Sequence, residues 1–456
     1  MRQFDLQAVI DEARFGRFHA VVLCWCILIM ILDGYDLAIV GISLPLIMKE
    51  MHITPVTAGV IASSSLFGMM VGSILLGSIA DRIGRRPAIV LCVLLFSVFS
   101  AAAGAVGGAV AFCALRFLAG LGLGGIAPTC AAQMTEYSPR RMRSMLVSLM
   151  FAGYSGGGVL AALLGKSLME NYGWRSIYFA AAVPIVLVPV IWRTLPESLS
   201  FLVLKGRDAE VRRIAQRLIP GHVPQPGDRF AMPKEQAGPT RLLGALFSEG
   251  RAFSTLMFWV TCITNLFMVY GLSSWLTKLM ASAGYSLGSA LTFVMAMNLG
   301  AVVGAIGGGW LADRLNIQRV LIGMYLLAAV SIALLGYKAP TALLYAVVTV
   351  AGACTIGTQI VVYAYAGQFY PTNVRSTGVG WAAGIGRLGA MFGPILIGVI
   401  VGLALPLQFN FYAMAVPAVI GAFAVALVND RLSDRVRRGA PQCGAGELGA
   451  AGEGSA

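Results

Sequence analysis

Twelve stretches of this chain are too long and too apolar to be the buried helices of a water-soluble protein. They fall at about 19–47, 57–78, 88–107, 109–134, 144–168, 175–195, 252–280, 287–311, 318–338, 341–366, 374–402 and 407–428. Crossing bilayer hydrocarbon takes about 20 residues of helix. Backbone groups there must be satisfied internally, which leaves only helices and closed barrels. The expected fold is therefore an all-α polytopic membrane protein with twelve transmembrane helices. Only 12% of the 456 residues are charged, against about 25% in a soluble chain.

The net charge of +13 would suggest nucleic acid for a soluble protein, but its distribution excludes that reading. Of the 33 Lys and Arg, 26 lie in the N-terminal tail, the even-numbered loops and the C-terminal tail. By the positive-inside rule both termini and the long central loop face the cytoplasm. Seven of the eight cysteines lie in apolar blocks at irregular spacings, as packing residues do. The three histidines (His19, His52, His222) form no metal-ligand pattern. Without a nucleophile elbow or phosphate loop, a membrane enzyme is not indicated, and no metal or cofactor is expected. Met1 to Phe18 is polar, so no cleavable leader is expected, and a short interfacial helix is expected there.

The chain repeats itself. Gly77, Asp81, Pro139 and Arg143 recur as Gly309, Asp313, Pro371 and Arg375, all offset by 232 residues. Four matches at one offset in two loops indicate duplication into six-span halves lying the same way up. The expected organisation is a cytoplasmic segment 1–18, a bundle 19–195, a linker 196–251, a second bundle 252–428 and a cytoplasmic tail 429–456. The linker is polar and proline-broken, with one amphipathic helix expected over Lys205 to Leu218.

Inside the first block sits Leu32-Asp33-Gly34-Tyr35-Asp36-Leu37. Residues three apart share a helix face. A carboxylate at the centre of a membrane helix costs roughly 2.5–3.5 kcal/mol on insertion scales. Two in one turn point to use of the charge rather than to helix packing alone. At 1.5 Å per residue, Asp33 and Asp36 lie roughly 21–26 Å from the cytoplasmic entry, and Arg116 roughly 10 Å below the outer surface. A pair between them is geometrically open. Arg387 lies roughly 20 Å into the eleventh block, and its guanidinium can hold a carboxylate through two parallel bonds.

Two such halves joined to the turn Gly77-x-x-x-Asp81-Arg82-x-Gly84-Arg85-Arg86 resemble the major facilitator superfamily. Pro196-Glu197-Ser198 and the Arg116 to Gly122 segment match patterns of the same superfamily. Asp33-Gly-Tyr-Asp36 resembles the Asp-Gly-x-Asp signature of its aromatic acid:proton symporters. Asp33 to Met48 and Gly384-Ile-Gly-Arg387 look most like the benzoate transporter branch. The resemblance implies alternating access and a role in uptake for Asp33, Asp36, Arg116, Asp81 and Asp313. It implies proton-coupled import of an aromatic carboxylate, benzoate or a hydroxybenzoate, across a bacterial inner membrane by a monomer. The second turn departs from the pattern, with Asn316 where the first has Gly84 and no Arg-Arg pair.

On this reading Asp33 and Asp36 couple the proton, the coupling ion, and a proton taken by either frees Arg116 for the substrate carboxylate. The alternative for Arg116 is a permanent ion pair locking spans one and four. Arg387, Asn265 (the position of Asp33 in the second half) and Tyr363 are further substrate-binding candidates. Trp259, Tyr270, Trp275, Tyr365 and Trp381 could supply aromatic walls. Asp81, Arg82, Arg85, Arg86, Glu136, Asp313 and Arg314 are expected to gate the cytoplasmic side, with Glu136 beside Arg140 and Arg143. Sugar or other organic-acid symport shares the loop turns, and a sensor would bind aromatic acids without accumulating them.

Overall fold

The computed structural model describes residues 3–5, 10, 11, 13, 15–218, 229–231, 244, 246–248, 250–371 and 374–433. Twelve helices in it are long and apolar enough to cross a bilayer. Spans one to six are Arg17–Glu50, Pro55–Ile83, Arg85–Ala103, Ala109–Tyr137, Arg143–Tyr172 and Arg175–Thr194. Spans seven to twelve are Ala252–Ser282, Leu287–Arg314, Ile317–Leu334, Thr341–Phe369, Arg375–Gly402 and Leu407–Leu427. An even number of crossings returns the chain to the face on which it began.

Local chemistry sets the ends. The Thr54 hydroxyl accepts from the Thr57 N–H at the start of span two, and Pro55 opens the helix where its missing N–H costs nothing. Asn316 caps span nine by accepting from the N–H groups of Gln318 and Arg319. Span six, expected as one helix, is broken between Ala180 and Val183. Pro184 in the next turn has no N–H for the Ala180 carbonyl, so the ladder cannot run through.

Within the first half, span one packs on five, two on four, and three on four and six; in the second, seven packs on eleven, eight on ten, and nine on ten and twelve. Between halves the contacts are one with seven, two with eleven and five with eight. Adding six to each number maps these pairs onto one another, as the sequence repeat requires, while span seven also packs on span twelve far more than span one does on span six.

Spans one and five approach until their backbones touch. A Cβ on Gly34 would lie 2.0 Å from the Tyr154 carbonyl oxygen, and one on Gly157 would lie 2.1 Å from that of Ile31. Lipid tails are as apolar as side chains, so helices in a bilayer associate through such packing rather than through exclusion of water.

The linker holds short helices at Leu199–Leu204 and Asp208–Leu218, the second inside the range expected to be amphipathic. In the N-terminal segment Ile10 and Asp11 are helical, and most of the residues around them, where a short helix is expected, lie outside the described residues. Residues Gln3–Asp5 form strand β1, paired in parallel with strand β2 of the linker, Arg229–Ala231, rather than part of an interfacial helix. The backbone there finds its hydrogen bonds on the linker, where a helix would have supplied them internally.

Gly34→Ala should lower the thermal stability of the purified protein by about 2 kcal/mol or more, because spans one and five must separate. Gly77→Ala, with nothing within 4 Å of its Cβ, should be neutral or stabilising. Melting curves in detergent for the two variants check this pair.

Candidate functional site

Close contacts between the halves run from the middle of the helices to the face opposite the termini. A Cβ on Gly41 would lie 2.2 Å from the Ser273 carbonyl oxygen, and one on Gly59 would lie 2.6 Å from that of Pro394. Ser63 donates to the Met391 carbonyl at 2.6 Å across the same boundary, and within the second half the Trp275 indole donates to the Pro394 carbonyl at 2.9 Å, holding that carbonyl's helix to span seven. The molecule is closed on that face. At the centre, spans one, two, five, seven, eight and ten line a narrow cavity of about 30 Å³. Its polar lining includes Ser65, Tyr154, Tyr270, Ser273, Ser274 and Asn298, and Leu37, Met297 and Ile356 are among its apolar residues. The Tyr154 and Tyr270 side chains lie close together, span five beside span seven.

The two acids of span one have different surroundings. Asp36 is fully buried, and its Oδ2 accepts from Arg116 Nη1 at 2.8 Å. Arg116, also fully buried, donates to the Asp36 carbonyl at 3.0 Å and to Ser100 Oγ of span three at 2.7 Å. Its guanidinium also faces the Tyr178 ring, 5.9 Å from the centroid. This pair ties spans one, three and four together. Arg116 is not part of the cavity lining.

Asp33 is 2% exposed, and its Oδ1 has no hydrogen-bond partner. The positive group within electrostatic reach of it is Arg387 of span eleven, in the other half. Arg387 is half-buried and also acts on Tyr154, Tyr270 and Tyr363. No hydrogen bond or ion pair holds it among the described residues. A carboxylate and a guanidinium without hydrogen-bond partners thus lie within electrostatic reach of each other, one on each half. Such buried charges are costly unless matched.

Other expected contacts lie elsewhere. Asn265 donates to the Thr355 carbonyl at 3.0 Å, joining spans seven and ten. Tyr363 accepts from Gln359 at 3.4 Å. Trp259 stacks on Trp381 at 6.2 Å, and Tyr365 binds Asp430 at 3.2 Å. Tyr154 and Asn298 escaped the sequence reading because each is a single uncharged residue in an apolar block. Tyr154 does precede Ser155, which stands 232 residues before Arg387. Among the described residues no group of three or more His, Cys, Asp or Glu could hold a metal ion.

On the face carrying the termini, Glu136 pairs with Arg85 rather than with Arg140 or Arg143 as expected. It is 7% exposed and turned inward, where it also accepts from Ser198 Oγ and, at 2.6 Å, from the Ser200 N–H. Arg143 instead donates to Asp11 at 2.5 Å. Glu197 caps span three, accepting from the N–H groups of Arg85 at 2.8 Å and Arg86 at 3.1 Å. Gly84 has φ +101°, and a Cβ there would lie 2.7 Å from that carboxylate, so both backbone and space demand glycine. Arg82 and Arg314 are exposed, the latter over the Trp310 ring at 4.3 Å. The side chains of Asp81 and Asp313 lie outside the described residues.

A family model for the Major Facilitator Superfamily matches residues 26–346 and 299–445. The chain belongs to the major facilitator superfamily. Superfamily relatives along almost its whole length include a benzoate transport protein of Acinetobacter baylyi, 43% identical over 94% of each chain. A gallate transporter of Pseudomonas putida is 34% identical over 92% of this chain and 94% of its own. A 4-hydroxybenzoate transporter of Pseudomonas aeruginosa is 34% identical over 94% and 96%. In fold, the chain is similar to an inward-facing bacterial homologue of the lysosomal transporter Spinster, with TM-score 0.71 and 18% identity over 92% and 98% of the chains. It is also similar to a D-xylose–proton symporter, with TM-score 0.68 and 18% identity over 90% and 97%. As the superfamily implies, the protein is a transporter and not an enzyme.

Removing one partner of a fully buried ion pair leaves the other stranded. Asp36→Asn should therefore destabilise the protein by about 3 kcal/mol or more, whereas Asp33→Asn should shift stability by less than about 1 kcal/mol. Unfolding of both variants in detergent distinguishes the two acids.

Proposed function

We propose that the protein imports benzoate or a hydroxybenzoate together with a proton, by alternating access across a bacterial inner membrane. It acts as a monomer with both termini in the cytoplasm, so the closed face described above is the outward one. Relatives named for benzoate, gallate and 4-hydroxybenzoate support the substrate class. A cavity lining of tyrosines, with hydroxyl and amide groups among apolar side chains, suits a flat ring carrying one charged group.

The observation that carries the mechanism is the unpaired Asp33 within reach of Arg387 across the seam between the halves. In the empty site the Asp33 carboxylate balances the Arg387 guanidinium. A proton on Asp33 removes that balance and leaves Arg387 to a substrate carboxylate, which it can grip through two bonds. Empty and fully loaded sites then carry the same net charge. Proton alone or substrate alone leaves one charge buried and unmatched, and such states resist crossing. Coupling follows from that penalty, without any further gate. Asp36 and Arg116 act as the fixed pair that holds span one to its bundle, so a change at Asp33 is felt by the whole half. Glu136, Arg85 and the loop residues about Asp81 and Asp313 close the cytoplasmic side in the other conformation.

One proton with one monoanion moves no net charge. In proteoliposomes, an inward proton gradient should drive labelled benzoate uphill, while a potassium diffusion potential without a pH gradient should not. Asp33→Asn should abolish uphill accumulation yet keep exchange of internal for external benzoate. Accumulation driven by the potential alone, or unimpaired in the variant, would overturn the scheme. Competition by 4-hydroxybenzoate, protocatechuate, muconate and sugars ranks the substrates, and preference for a sugar would overturn the substrate class.

A further inference from the structure

A second recess of about 670 Å³ opens at the edge of the first half, on the face carrying the termini. Four arginines line it, each from a different element. Arg17 is the first residue of span one, Arg86 lies in the first turn of span three, Arg193 in the last turn of span six, and Arg213 on the linker helix Asp208–Leu218. Two carboxylates share the recess, and both are engaged. Glu197 accepts from the N–H groups of Arg85, Arg86 and Ser198, and Glu210 lies 3.7 Å from Arg207. Among the described residues, no acid pairs with Arg17, Arg86, Arg193 or Arg213. The Nε of Arg86 is buried without a partner, while its guanidinium lies over the Trp192 ring at 4.9 Å.

The rest of the lining is mainly apolar, with Thr194 and Gln216 as its uncharged polar members. Phe18, Val21, Val22, Leu195 and Ile214 continue the recess along the outside of spans one and six. Val21 and Trp192 remain 44% and 46% exposed there. Three of the guanidinia sit at span ends, where hydrocarbon gives way to headgroups, and Arg213 reaches them from the linker helix. Val21 lies one turn deeper than Arg17, and Trp192 lies against Arg86. Clustered arginines on an apolar wall at that depth match a phosphate carrying acyl chains, because polybasic groups near a membrane surface attract anionic lipid. Guanidinium pairs bind phosphate oxygens through two parallel bonds. A free phosphate would use the arginines and leave the wall bare.

We propose that this recess binds the headgroup of an anionic phospholipid, with one acyl chain lying along Val21 and Trp192. The bound phosphate joins the starts of spans one and three, the end of span six and the linker helix through one negative charge. The site lies outside the central cavity, and its occupancy is independent of which solute is carried.

The test uses the full-length protein, delipidated in detergent, with phosphatidylglycerol as the probe. Bound lipid is counted by native mass spectrometry, and thermal stability is followed in parallel. Phosphatidylglycerol should be retained and should raise the melting temperature, while phosphatidylcholine and inorganic phosphate should do neither. The double variant Arg193→Gln with Arg213→Gln removes two exposed charges and should weaken retention by about tenfold or more. The control Arg141→Gln with Arg319→Gln removes two exposed arginines elsewhere on the same face and should retain lipid as the parent does. Equal retention by parent and double variant overturns the site. Equal stabilisation by inorganic phosphate overturns the lipid as its occupant, and equal loss in the control reduces the effect to general surface charge.

Discussion

The ion pair between Asp36 and Arg116 is the contact on which the first half depends. It is fully buried, and three helices meet at it. In hydrocarbon no water can take the place of a lost partner, so neither side chain can leave the other cheaply. Around it packs a ring of aromatics. Phe112, Trp174 and Tyr178 lie edge to face with centroids 5.3–5.9 Å apart, and Tyr35 donates to the Ile177 carbonyl at 2.7 Å. Span one is thereby fixed to spans three, four and six before anything binds. Asp33 lies about one turn away on the same helix and is held in place by this frame, but it spends none of its own bonding capacity on it.

That division of labour separates two jobs that one sequence motif leaves merged. The Asp-x-x-Asp spacing puts both carboxylates on one face, yet a helix face is broad enough for one acid to be paired and the other to be left without a partner. The second half has no acid at the matching position. Asn265 there bonds to a backbone carbonyl, and the charge that serves the seam from that side is Arg387 on another helix. The halves are related by duplication but contribute unlike charges to the centre.

Most of the architecture was legible in the chain because its determinants are local or repetitive. Hydrocarbon thickness dictates the twelve blocks, and the offset of 232 residues reappears as helix pairs that map onto one another. Depth counting brought Arg116 to the level of Asp36 without saying which of two acids it would choose, since a three-residue step moves the carboxylate by less than the reach of a guanidinium. The partner of Glu136 was missed for a similar reason. Arg140 and Arg143 are near in sequence, but Arg85 arrives from a helix that starts fifty-one positions earlier. Tyr154 and Asn298 were invisible because an uncharged polar residue in an apolar helix declares its role only when its neighbours on other helices are known. The break in span six could have been read from Pro184, whose effect on a helix ladder is local.

None of the five described ion pairs joins the two halves. The closed seam is instead a row of glycines set against backbone carbonyls, with Gly41 on Ser273 and Gly59 on Pro394. Parting such a seam strands no charge, and the carbonyls it uncovers are ones that water can solvate at once. Contacts of this kind also lose their hold within a fraction of an ångström of separation. The closed face of this protein is therefore held by a snap fastener rather than a bolt, indifferent to salt and set by the bulk of a few small residues.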